Sequence, residues 1–272
     1  MSKYILKAKS SSGYIFKVLA EILQTNLKTS CFQIKKTGIF LRQMDDNRST
    51  LIDLQLLAEN FDLFEFNSLS THGQSSFFIG LTLTHLYKLL KTVKKKDAIK
   101  LTILRDVPTE ISISVKSKDR NRTTTSFLKI QRVQNILVDI PTGYNVPAIF
   151  IPSCEFQKIY KDILSIGKTV TISTRDNALR FDVDAGGIVK RRVEYKNSEE
   201  GEDSESDEED SRYSEVFDTE QLVKLSKMSN LSDSLQISSE QNLPLVVSAK
   251  TGLLGNISIY VKNKSQIAYT QA

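Results

Sequence analysis

Histidine and cysteine are scarce in this chain of 272 residues, with two of each. Cys31 and Cys154 are too few for a disulfide framework, so an intracellular, reducing compartment is the expectation. With His72 and His85 they lack the spacing of a zinc site, and both read as small buried hydrophobes. The sequence therefore calls for neither a metal nor a cofactor. The same shortage of histidine removes the usual base from any serine, histidine and carboxylate group. Asp45-Asp46 sits in a turn, where carboxylates are common. Gly167-Lys168-Thr169 imitates the end of a phosphate loop, but Asp162 stands where that motif needs its first glycine. The triplet also follows a helical pattern and precedes a strand, the reverse of the required order, and Gly186-Gly187 reads as a turn. No apolar stretch approaches a membrane span, and the first twelve residues, MSKYILKAKSSS, have no run fit for a signal peptide. These absences argue against an enzyme and against a membrane protein.

What is present is an ordinary globular composition, 40% hydrophobic and 25% charged, with an uneven charge distribution. The formal net charge is +5, yet the run 199–210 holds nine acidic residues and no base. Outside it, 37 basic residues face 23 acidic ones, an excess of +14. Such an excess favours polyanionic partners, nucleic acid first. The run itself reads as a solvated surface loop, because dense like charge repels itself and cannot pack.

The sequence is also written twice. His85–Lys91 matches Gln221–Lys227 at a shift of 136, pairing Leu86 with Leu222, Lys88 with Lys224, Leu89 with Leu225 and Lys91 with Lys227. Earlier in each half, Lys17, Val18, Ile22 and Leu23 face Lys158, Ile159, Ile163 and Leu164 at a shift of 141. Two matches at similar shifts predict two duplicated domains, over 1–129 and 146–272, joined by a connector over 130–145 that contains Pro141 and Gly143.

Each half reads helix, strands, helix, strands. Apolar residues at helical spacing predict helices near Gly13–Thr25 and Thr82–Val93. In the second half, Ser153 is the expected N-cap before Phe156, Ile159 and Ile163, and Asp218 opens a helix before Leu222, Leu225 and Met228. Short alternating segments predict strands at Phe32–Ile34, Ile39–Leu41, Leu51–Leu57, Ile99–Leu104, Ile111–Val115, Val170–Ser173, Leu179–Val183, Leu243–Ala249 and Ile257–Val261. The fold class is α+β, with antiparallel sheets covered by amphipathic helices.

Away from its apolar stripe each helix carries lysine. Lys88, Lys91 and Lys95 form one row at i, i+3, i+7; Lys158 with Lys161, and Lys224 with Lys227, form shorter ones. Lys17 and Lys28 lie eleven residues apart, about three turns, and share a side. These rows hold no arginine forks and no interleaved aromatics. Lysine is a mobile point charge suited to phosphates, whereas reading bases favours bidentate arginine or stacked rings. Four helices with lysines at repeat-equivalent places point to sequence-independent contact with a phosphate backbone.

Gly38-Ile-Phe-Leu-Arg-Gln-Met-Asp45 running into Thr50-Leu-Ile-Asp-Leu54, the stretch Pro152–Gly167, and Leu243-Pro-Leu-Val-Val247 together resemble the proliferating cell nuclear antigen family of DNA sliding clamps. The resemblance covers essentially the whole chain. It implies a homotrimeric ring encircling duplex DNA, with DNA-facing lysines Lys17, Lys88, Lys91, Lys158, Lys161 and Lys227. It implies loading by an ATP-driven clamp loader and residence in the nucleus, or at a viral replication site. It further implies a groove for a short peptide motif of DNA polymerase and other clients, formed by Met44, Leu51, Val138, Ile140, Pro244 and Tyr260. The seam between subunits is implied near Asn121–Lys129 of one chain and Ile188–Tyr195 of the next.

The chain departs from the family pattern at four places. Glu220 stands where a base is usual, Ser49 replaces an apolar residue, Lys262-Asn263 replaces an Ala-Pro pair, and the acidic run is longer than the loop expected there. These departures suggest a divergent member, viral or protist. Rival readings share the fold: a viral processivity factor that grips DNA as monomer or dimer, and a checkpoint-type clamp subunit.

Overall fold

A computed structural model of the chain describes residues 2–67, 75–118, 121–134, 136, 138–175, 178–196 and 212–271. The acidic run 199–210, residues 176–177 and His72 lie outside the described residues. The chain divides into two compact units. One is Met1–Asp45, Ile52–Val138 and Lys250–Ile257; the other is Asp46–Leu51, Asp139–Ala249 and Ser258–Ala272. The division falls within the connector, between Val138 and Asp139, and each unit borrows a short segment from the other's part of the sequence.

The N-terminal part runs β1 (Tyr4–Ser10), α1 (Gly13–Asn26), β2 (Thr29–Lys35), β3 (Gly38–Met44), β4 (Thr50–Leu57), β5 (Leu63–Phe66), β6 (Ser76–Thr82), α2 (Leu83–Leu90), β7 (Ala98–Leu104), β8 (Glu110–Lys116) and β9 (Thr123–Lys129). Its strands pair in the orders β5-β1-β7-β8-β9 and β4-β3-β2-β6. α1 carries no acid in its first turn, no base in its last, and no side-chain cap. It is held instead by burial of Phe16, Val18, Leu19, Ile22 and Leu23. Each such side chain contributes roughly 1.5–3 kcal/mol when removed from water, more than a cap supplies.

The C-terminal part runs β10 (Ile149–Pro152), α3 (Ser153–Leu164), β11 (Thr169–Arg175), β12 (Ala178–Asp184), β13 (Lys190–Lys196), β14 (Tyr213–Asp218), α4 (Thr219–Leu225), a 3-10 turn (Ser226–Asn230), β15 (Ser234–Ser238), β16 (Leu245–Lys250), β17 (Gly255–Val261) and α5 (Lys264–Gln271). Here the orders are β13-β12-β11-β14 and β10-β15-β16-β17. Strand for strand these repeat β4-β3-β2-β6 and β1-β7-β8-β9. α4 begins at Thr219, 136 residues after α2 begins at Leu83, the shift read from the sequence. The fold is thus a duplicated α+β fold, mostly antiparallel sheet with a few helices.

Several details differ from the sequence reading, among them Cys154, which is exposed rather than buried. Ser153 is the first helical residue of α3, Pro152 takes the N-cap position, and the Ser153 hydroxyl donates to the Ser232 carbonyl. Asp218 does precede α4, but its carboxylate caps nothing and instead meets Lys264 at 3.4 Å. α2 stops at Leu90 because the chain turns: the Asp97 carboxylate accepts from the Lys94 amide at 2.9 Å, and the Asp97 carbonyl from the Gly13 amide at 3.0 Å.

Candidate functional site

In the first unit, α1 and α2 lie against each other, with Leu83 and Leu90 of α2 buried and Lys88 and Lys91 exposed. Lys94, Lys95 and Lys96 follow, all exposed. Lys17 Nζ sits 5.3 Å from the centre of the Tyr14 ring and Lys95 Nζ 6.0 Å from the same centre. The negative face of one half-buried ring therefore draws cations from α1 and from the turn after α2 into one positive area. Tyr14 stands in the first turn of α1. Its role as a seat for two lysines depends on residues 81 positions apart and has no local signal.

In the second unit α3 packs on α4 and on the 3-10 turn after it. Phe156, Ile159, Tyr160 and Ile163 face inward, leaving Lys158 and Lys161 exposed. Lys158 is paired with Glu155 at 2.7 Å, and that hydrogen bond and charge raise its ammonium above the ordinary lysine value, so it stays charged. Lys227 is exposed on the 3-10 turn, Lys224 is half-buried, and Glu220 is exposed one turn earlier. Every lysine of the six is therefore at least partly open to solvent, on helices whose other face is core. Such a surface suits phosphates, to which lysine offers single point charges, better than base edges, which favour a bidentate fork.

The residues expected to hold a client peptide divide between the units. In the first, Met44 and Val138 are half-buried. The connector begins there by pairing with β6: the Gln131 amide donates to the Gly80 carbonyl at 2.8 Å, and the Gln131 side chain to Thr82 Oγ1 at 2.9 Å. A Cβ at Gly80 would stand 2.3 Å from Val133 Cγ2 and 2.6 Å from the Gln131 carbonyl, so only glycine lets the connector cross here. In the second unit Leu51, 4% exposed, is a core side chain, while Ile140, Pro244 and Tyr260 are half-buried. Gly143, at φ +102°, turns the connector so that the Tyr144 hydroxyl donates to the Pro244 carbonyl at 2.7 Å. Burial, then the nearby Tyr260 phenol, pushes the Tyr144 hydroxyl well above its usual range. Tyr144 is thus a neutral, fixed ring beside Pro244 and Tyr260, and sequence reading missed it.

Several outermost strands carry uncovered apolar surface, among them β10 with Phe150 51% exposed and β14 with Val216 40% exposed, and β9 and β13 are the two near which a seam is expected. β9 is outermost in its sheet with Phe127 62% exposed. β13 is outermost in its own, preceded by Ile188 at 89% exposure and Val189 at 48%. An unpaired edge with apolar side chains is a template for another chain, and these two edges differ, as a head-to-tail contact requires. Among the described residues no three histidine, cysteine or carboxylate side chains gather as metal ligands, and no helix is long and apolar enough to cross a membrane.

Comparison with known proteins covers most of the chain. Residues 5–137 match the family model for the proliferating cell nuclear antigen N-terminal domain, and residues 140–264 the model for its C-terminal domain. The chain is similar to the proliferating cell nuclear antigen of Chaetomium thermophilum, 24% identical over 264 residues, covering 96% of this chain and 98% of that one. The crystal structure of the Entamoeba histolytica protein of the same name superposes with a TM-score of 0.80 at 21% identity, over 96% and 99% of the two chains.

Proposed function

The chain belongs to the proliferating cell nuclear antigen family of non-enzymatic sliding clamps, and from that premise we propose that three copies close into a ring around duplex DNA. Two similar units per chain give six around such a ring, and the unlike edges β9 and β13 supply the head-to-tail seams. Lys17, Lys88, Lys91, Lys158, Lys161 and Lys227 face the phosphates and hold the ring on DNA without selecting sequence. An ATP-driven loader opens and closes it. DNA polymerase and other clients dock through a short peptide, with the half-buried Ile140, Pro244 and Tyr260 as its apolar contacts and Leu51 left in the core, so the ring is a moving platform for replication and repair in the nucleus. The observation that carries this reading is the repetition itself: both units present lysine on a pair of helices whose opposite faces are core.

Topology on DNA tests it. After loading with loader and ATP, the protein should co-elute with a nicked circular plasmid at physiological salt and be released when one restriction cut linearises that plasmid. Equal retention on the linear form would mean that the protein grips DNA rather than enclosing it.

A further inference from the structure

The connector is fastened to the second unit by a residue outside the groove. The chain between β15 and β16 turns with the Leu243 amide donating to the Glu240 carbonyl at 3.1 Å and with Asn242 at φ +65°, a conformation asparagine tolerates. From this closed turn Glu240 Oε2 accepts the Asn145 amide at 3.0 Å and the Val146 amide at 3.3 Å. The turn leads into Pro244, whose carbonyl takes the Tyr144 hydroxyl. Its Asn242 carbonyl also accepts the Gln266 side-chain amide at 3.0 Å. Gln266 and Asn263 cap α5 reciprocally, at 2.7 Å and 3.1 Å, so the start of the last helix is pinned to the same turn.

We infer that Glu240 is a positioning residue for client binding: its carboxylate clips the C-terminal end of the connector and so holds Tyr144 beside Pro244 and Tyr260. The inference rests on the client-groove reading above. Two consecutive amides sharing one carboxylate oxygen form charge-assisted bonds, stronger than neutral ones. The alternative for a segment without helix or strand is an ensemble of extended conformers, among which few present the groove. Apparent affinity falls in proportion to the fraction of binding-competent molecules. A clip that raises this fraction from about one tenth to near unity is therefore worth about tenfold in client affinity.

The test uses the full chain and a fluorescein-labelled synthetic peptide with one isoleucine and two phenylalanine anchors. Glu240→Ala should raise its Kd about tenfold and speed hydrogen exchange at the Asn145 and Val146 amides, while solution mass and DNA retention stay as in wild type. Glu240→Gln, whose amide oxygen can still accept both bonds, should recover most of the affinity; a residue that only supported the fold would show no such link between exchange and Kd. Wild-type affinity in Glu240→Ala, or unchanged exchange at the two amides, overturns the inference. Should wild type not bind the peptide, the groove reading fails by itself. Exchange then decides the clip: faster exchange in Glu240→Ala supports it, and unchanged exchange refutes it.

Discussion

Replacing Lys88 and Lys91 together with alanine separates DNA contact from folding. Both side chains are exposed, Lys88 on α2 and Lys91 at its C-cap, and the helix is anchored by the buried Leu83 and Leu90. Alanine is at least as good a helix former as lysine, and surface changes of this kind shift stability by about 0.5 kcal/mol or less. Folding and assembly should therefore survive. If the two ammonium groups neutralise two phosphates at a time, the plot of log affinity against log salt should become shallower by about 1.8, at about 0.9 per contact. Between 50 and 200 mM salt, wild type should lose about twelvefold more affinity than the double variant. Fluorescence anisotropy with labelled duplexes of three unrelated sequences measures this, and the loss should be equal on all three. An unchanged salt slope, or a loss confined to one sequence, would refute the assignment of these lysines to the phosphate backbone.

Three further outcomes are expected. Ile140→Asp should put an unpaired charge at a half-buried position of the connector and abolish binding of the anchor peptide in calorimetry, with solution mass unaltered; wild-type binding would disprove the groove. Deleting 199–210 should leave assembly intact and raise non-specific DNA association in gel shifts, since nine acidic residues leave with it; loss of the folded state would show the run to be structural. Phe156→Ala removes a ring that is 1% exposed and 4.3 Å from Tyr160. It should cost about 3–5 kcal/mol in urea unfolding of the C-terminal unit, and a loss under about 1 kcal/mol would contradict the packing described for α3.

The sequence discloses the parts of this fold whose signal is local or repeated. α1 and α3 follow from apolar spacing, and α4, weak by itself, from its match to α2. β1 escaped because its register is irregular between Tyr4 and Leu6, so that Ile5 and Leu6 are both buried and the alternation breaks. β9 and β13 escaped the pattern for another reason. Thr123-Thr-Thr125 and Lys190-Arg-Arg192 lie on sheet edges exposed on both faces, where nothing requires alternation, and only the family resemblance placed them. α5 lacks an apolar stripe, yet Asn263 with Gln266 three residues on is a capping box that was there to be read. The lysines were legible because surface charge is a property of one helix. The Tyr144–Pro244 bond and the Glu240 clip join residues about a hundred positions apart, and nothing in either local sequence announces them.

Whether the protein is a ring at all is decided most directly by its mass in solution without DNA. One chain is 30.7 kDa. Size-exclusion chromatography with multi-angle light scattering at micromolar concentration should give about 92 kDa, three chains closed head to tail. A value near 31 kDa, or near 61 kDa, would contradict ring closure and leave a clamp-fold protein that grips DNA as monomer or dimer.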